Sequence, residues 1–109
     1  MPRRPGKSII ESVKRKGEEA VNRVGHLINT IEKDKEKYTI NSYEKIIEIE
    51  LNKYIAIVHF VEVNYKITKE ERSEFMKFYW DIYETLKKER IKAESEGYVF
   101  TDGIWELSK

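Results

Sequence analysis

The residues best suited to acid–base or metal chemistry are two histidines and one pair of glutamates. His26 and His59 stand in no H-x-x-H or H-E-x-x-H motif. Glu48 and Glu50 alternate along one segment, and two carboxylates on a shared face can hold Mg²⁺ or exchange protons. Alternating glutamates are also typical of the solvated face of a strand, and we favour that interpretation. Because Cys and the common nucleotide-binding and hydrolase motifs are absent, the sequence predicts a non-enzymatic protein with no cofactor and no metal site.

Positive charge is concentrated in the first 23 residues, which carry seven Lys and Arg against three Glu, a net charge of +4, while the whole chain carries +1. Two prolines and a glycine predict that residues 1–7 form a flexible basic tail. A basic arm that leads into a basic helix is a common means of neutralising phosphates, although a solvated tail has the same composition. The sequence therefore predicts non-specific nucleic-acid binding. The predicted contacts are Arg3, Arg4, Lys7, Lys14, Arg15, Lys16 and Arg23.

An apolar stripe follows this tail and predicts a long helix from about 9 to about 35. Its members are Ile10, Val13, Gly17, Ala20, Val24, Leu27 and Ile31, at alternating steps of three and four. Ser8 and Glu11 form an S-x-x-E capping box at the start of this segment. Gly17 and Gly25 each cost about 1 kcal/mol inside a helix. A break at Gly25, which would give two shorter helices, is therefore the alternative.

The same stripe suggests a second function, that of a homodimeric protein-interaction module such as a regulator or an inhibitor. A helix of about 27 residues spans about 40 Å, more than one small sheet can cover. An aromatic belt at 75–83 offers another surface, because Met76 and Trp80 lie to one side of it, although such belts usually belong to a core. The predicted interface residues are Gly17, Ala20, Val24, Leu27, Ile31, Met76 and Trp80.

Residues 38–67 predict two β-strands. Ile47, Ile49 and Leu51 alternate with two glutamates, which is the pattern of a half-exposed strand. The segment 54–61 is apolar except for His59, which predicts a central strand covered at least in part on both sides. A turn near 52–53 would join the strands. A three-residue loop is preferred to a two-residue loop because it places the apolar residues of both strands on one face.

The last third of the chain predicts a helix and a hairpin. Thr68 and Glu71 form a T-x-x-E capping box, and a helix from about 69 to about 95 would end at Gly97. Asp102-Gly103 between two apolar runs indicates a tight hairpin turn. Its predicted cross-strand pairs are Phe100 with Trp105 and Tyr98 with Leu107. The element order is then α-β-β-α-β-β, and the predicted fold class is α+β, an antiparallel sheet with two long helices packed on one face.

Length and composition limit the class of protein. The 109 residues fit one domain, 8–109, behind the tail. No apolar run reaches the 18 residues of a membrane helix, and the basic N-terminus lacks the apolar region of a signal peptide. Together with the absence of Cys, this predicts a cytoplasmic protein. The 15 Lys and 17 Glu, with no Gln, are typical of a thermophile, although a genome poor in G and C would also favour Lys codons.

Overall fold

In a computed structural model, the chain folds as three long helices followed by a β-hairpin. The structure describes residues 3–33 and 39–108, so the predicted end of the first helix at 34–35 and the predicted strand residue 38 lie outside the described residues. The elements are α1 Lys7–Lys33, α2 Ile40–Asn64, α3 Lys69–Ser95, β1 Tyr98–Thr101 and β2 Ile104–Leu107. The predicted order α-β-β-α-β-β, with a sheet under two helices, is therefore wrong, and the order is α-α-α-β-β.

The segment predicted as two strands is α2, and the predicted turn at 52–53 lies in the middle of this helix. The buried apolar residues of α2 recur at steps of three and four, which is the helical period. They are Ile40, Tyr43, Ile47, Leu51, Tyr54, Val58 and Val61. Apolar residues also occupy the opposite face, where Ile49 is 51 % exposed. Two interleaved helical stripes thus produce a nearly continuous apolar run that resembles a buried strand.

The predicted first helix is confirmed, and it continues through Gly25 without a break. It begins at Lys7, so Ser8 lies inside the first turn instead of capping it. The carbonyl of Gly6 accepts hydrogen bonds from the backbone N–H groups of Ile9 (3.1 Å) and Ile10 (3.3 Å), and it satisfies two of the donors that a helix start leaves free.

The predicted third helix and hairpin are also confirmed. The Thr68 hydroxyl accepts from the Glu71 N–H at 3.1 Å, and the Glu71 carboxylate accepts from the Thr68 N–H at 2.8 Å, which completes the capping box. Gly97 ends the helix with a φ of 94°. Asp102 and Gly103 both have positive φ, as a type I′ turn requires. The cross-strand pairs Phe100 with Trp105 and Tyr98 with Leu107 form as predicted.

The core lies along the axis of a bundle that measures 57 × 28 × 17 Å. At one end it contains Val13, Tyr54, Val58, Val61 and Phe75. Towards the other end the hairpin joins it through Trp105, which is 5 % exposed. Gly17 of α1 lies against Phe78 of α3, where an added Cβ would come within 2.5 Å of the ring. Absence of a side chain at Gly17 therefore sets how closely α1 and α3 approach.

The segment predicted as a free tail is held at the connection between α2 and α3 in the residues that the structure describes. The carbonyl of Arg3 accepts from the Lys66 N–H at 2.9 Å, and the Arg4 guanidinium donates to the Lys66 carbonyl at 2.8 Å. Pro5 is buried. These contacts fix the direction in which the chain enters α1.

Candidate interaction surface

Arg4, a predicted phosphate contact, is bound to α3. Its Nη1 and Nη2 donate to the two carboxylate oxygens of Glu71 at 2.7 and 2.9 Å. The hydrogen bonds from Arg4 and from the Thr68 backbone lower the pKa of Glu71 to about 2, and the same side-chain pair raises the pKa of Arg4. A phosphate that recruited Arg4 would have to displace this carboxylate.

Two further predicted contacts join helices to one another. Lys14 Nζ lies 2.7 Å from Glu74 of α3. Arg23 donates to Glu50 of α2 from Nε at 3.1 Å and from Nη2 at 2.8 Å, and these hydrogen bonds raise the pKa of Arg23. Glu48 and Glu50 do not form a carboxylate pair, because residues two apart on a helix point roughly 200° apart. The helical backbone therefore removes the predicted shared face.

The remaining predicted contacts are exposed on the surface. Lys7 and Arg15 reach glutamates of their own helix only at 4.0 Å. Arg3 and Lys16 form no ion pair with any residue that the structure describes. On a helix with 3.6 residues per turn, Lys7, Arg15 and Lys16 spread over roughly 180°. The structure therefore does not bring the seven cations together into one flat patch.

Most of the predicted interface residues lie inside the bundle. Gly17, Ala20, Val24 and Ile31 are buried, and Leu27 is half-buried against the same cluster. Helices α2 and α3 cover this stripe, so the premise that a small sheet would leave it open is wrong. Met76 is half-buried, whereas Trp80 is 54 % exposed.

The aromatic belt of α3 is divided between core and surface. Phe75 is fully buried and Phe78 is half-buried, as expected of a core. Trp80 packs edge to face on Tyr79 and Tyr83 at centroid distances of 5.1 and 5.6 Å. Only the outer edge of the belt, around Trp80 and Tyr83, is open to a partner.

A second apolar surface, which the sequence analysis did not identify, lies on the side of α2 that faces away from the core. Ile49, Phe60 and Val63 are 51, 64 and 63 % exposed there. We define the outer stripe of α2 as Ile46, Ile49, Lys53, Ala56, Phe60 and Val63. Its steps of 3, 4, 3, 4 and 3 are a heptad pattern. The same spacing is visible in the sequence, but it is hidden by the apolar residues of the inner face.

Grooves between α1 and α2 border the outer stripe, and two of them lie beside its ends. One has a volume of 490 Å³ and lies beside Phe60, with Ile9 and Ser12 of α1 on its other wall. The second has a volume of 340 Å³ and lies beside Ile46 at the opposite end of the stripe. The stripe therefore has a recess beside each of its ends.

The buried carboxylate of Glu44 is an anchor for the hairpin. It accepts from Arg90 Nε and Nη2 at 3.2 and 3.0 Å, and the indole N–H of Trp105 donates to its second oxygen. The side chain of Asn41 pairs with the backbone N–H and carbonyl of Trp105 at 2.7 and 2.9 Å. Every oxygen of Glu44 is thus engaged, which suits a structural role better than proton transfer.

Acid–base or metal chemistry has little support elsewhere in the part of the chain that the structure describes. His26 and His59 are exposed on separate helices. In residues 3–33 and 39–108, no three His, Cys, Asp or Glu side chains converge on a possible metal position. Burial raises the pKa of Tyr43 to about 12, and it raises the pKa of Glu89 above its ordinary value.

Comparison with known protein families, curated proteins and solved structures finds no match to this chain. In the described residues, none of the three helices combines the length and the hydropathy needed to cross a bilayer. Function must therefore be inferred from the surfaces of the molecule itself.

Proposed function

We propose that this chain is a non-enzymatic protein-interaction module whose binding surface is the outer stripe of α2. The observation that carries the proposal is the exposure of Ile49, Phe60 and Val63 on a helix whose other face already fills the core. Folding alone does not require apolar residues there, because Lys, Glu or Arg serve an exposed helix position at least as well. Contiguous exposed apolar surface is typical of an interaction site.

Site-specific photo-crosslinking tests this proposal. A benzophenone side chain at Phe60, introduced in the cells that make the protein, should give a covalent adduct with one identifiable protein, either a second copy or another chain. The same probe at Leu107 is the matched control, because Leu107 is about as exposed but lies on the hairpin. Equal crosslinking at both positions, or none at Phe60, would reject the outer stripe as a binding surface.

Non-specific nucleic-acid binding is the second candidate. The observation in its favour is that Lys7, Arg15 and Lys16 are exposed, in a segment of net charge +4, and have no carboxylate closer than 4.0 Å among the described residues. Arg4, Lys14 and Arg23 are engaged in close ion pairs at 2.7 to 2.8 Å. The predicted contacts outside these close pairs are Arg3, Lys7, Arg15 and Lys16, which allows about four phosphate contacts. The slope of log affinity against log salt should then be no steeper than about −4.

A salt titration on one labelled duplex and one labelled single strand separates the two candidates. The double variant Arg15→Gln/Lys16→Gln should weaken binding and flatten the slope, whereas Phe60→Ser should change neither. Absence of binding at about 50 mM salt, where electrostatic attraction is strong, would eliminate nucleic acid as a partner.

A further inference from the structure

We infer that the occupant of the outer stripe is the outer stripe of a second copy, with the two α2 helices antiparallel and a two-fold axis passing between Lys53 and Ala56. This inference rests on the proposed function and specifies its partner. The stripe of one copy and the stripe of the other would then form a single isologous interface.

The first argument is the symmetry of the pattern. The steps 3, 4, 3, 4 and 3 are the same in both chain directions, so a reversed copy keeps every layer in register. The facing pairs are Ile46 with Val63, Ile49 with Phe60, and Lys53 with Ala56, each formed twice. Both ends of the interface are thus built from large apolar side chains, and all of the facing residues outside the central layers are exposed and available.

The second argument is charge, which decides between the two possible directions. In a parallel pair Lys53 would face Lys53, and two ammonium groups would share one apolar layer. In the antiparallel pair each Lys53 faces Ala56, which is small enough for the lysine stem to lie across it. The ammonium group then extends to the rim and stays in water. The same reversal avoids two facing alanines, which would leave a gap at the centre.

The third argument is area. The stretch from Ile46 to Val63 rises about 26 Å at 1.5 Å per residue. A single helix stripe of this length buries less surface than the roughly 800 Å² per partner of a standard interface. The two grooves of 490 and 340 Å³ extend the contact onto α1. In the antiparallel pair the partner's Ile49 stands beside the first groove, and the partner's Val63 stands beside the second.

Light scattering and engineered disulfides test this geometry on the full chain. The wild type should elute at twice 13.1 kDa at about 100 μM. The chain has no Cys, so a single introduced thiol reports one position. Ile46→Cys alone and Val63→Cys alone should not crosslink, because each lies about 26 Å from its own copy. A mixture of the two variants in glutathione buffer should form a covalent dimer that contains one chain of each.

Every other outcome overturns the inference. Crosslinking within the single variants would show a parallel pair. Phe60→Glu should give a monomer, whereas the equally exposed control Leu107→Glu should remain a dimer. If both variants remain dimers, the interface lies elsewhere. A monomer at about 100 μM would exclude a second copy as the occupant. In that case, crosslinking of Phe60 to another protein would preserve the proposed function, and its absence would reject both.

Discussion

Helices α1 and α2 both pack against α3 and against each other, but their outward faces differ in chemistry. On α1 the exposed positions carry side chains such as Arg15, Glu18 and Asn22, which interact well with water. On α2 the corresponding positions include Ile49 and Phe60. Each helix supplies one buried stripe to the bundle, and the exposed apolar residues of α2 lie outside that stripe. This difference is the reason why we propose a protein contact on the outer face of α2 and not on that of α1.

The first prediction tests whether the inner face of α2 stabilises the fold. Trp105 of the hairpin is the most sensitive position, because it is buried and hydrogen-bonded to Asn41 and Glu44 of α2. The Trp105→Ala variant should lose about 3–5 kcal/mol of unfolding free energy, because it empties a buried site and removes a donor from the buried carboxylate of Glu44. Urea denaturation measures this loss. Phe100→Ala is the control, since its half-exposed ring is the cross-strand partner. An equal, small effect in both variants would make the hairpin peripheral.

Two isoleucines on α2 compare its faces directly. Ile47 is fully buried and Ile49 is 51 % exposed. Ile47→Ala should cost about 2–5 kcal/mol, and Ile49→Ala should cost less than about 0.5 kcal/mol in the monomer. Thermal unfolding at low micromolar concentration measures both. If Ile49→Ala were as costly there as Ile47→Ala, the outer stripe would belong to the fold of the single chain.

An element could be predicted correctly from the sequence when it has a single apolar face. Helices α1 and α3 each have one main buried stripe, the capping box marks the start of α3, and the Asp-Gly turn specifies the hairpin. Helix α2 has apolar residues on two opposite faces, so its sequence alternates as a strand does. The absence of Gly and Pro from 40 to 64 is the signal against a hairpin, since a tight turn between strands favours such residues.

The ion pairs of the surface residues could not be predicted from the sequence, because their partners lie far away along the chain. Arg23 and its acceptor Glu50 are 27 residues apart, and Arg4 and Glu71 are 67 apart. Composition identifies the cations but not which of them are engaged. Periodicity likewise identifies the stripe of α1 but cannot distinguish a core seam from a contact with another chain. Only the packing of α2 and α3 decides that question.

Alanine substitutions at two glycines compare the buried side of α1 with its exposed side. A Cβ at Gly17 would clash with Phe78, whereas one at Gly25 meets nothing within 4 Å. Gly25→Ala should therefore stabilise the protein by about 0.5–1 kcal/mol through helix propensity. Gly17→Ala should destabilise the protein, because the cost of overpacking against Phe78, about 1–3 kcal/mol, exceeds the gain in helix propensity. Denaturation midpoints give both signs, and stabilisation by Gly17→Ala would show that α1 and α3 are less closely packed.

The smallest expected effect concerns the arm before α1, which charge holds in place. The folded-state pKa of Glu71 is about 2, below its ordinary 4.5, so its ion pair with Arg4 stabilises the protein above about pH 4.5 and is lost as the pH falls towards 2. Glu71→Gln keeps the capping acceptor and removes the charge. Its melting temperature should lie below that of the wild type at pH 6, and the two values should converge towards pH 2. Glu70→Gln is the control, because Glu70 occupies the same first turn without an ion pair to a described residue. If the gap between wild type and Glu71→Gln stayed constant with pH, the arm would be held by its backbone contacts instead.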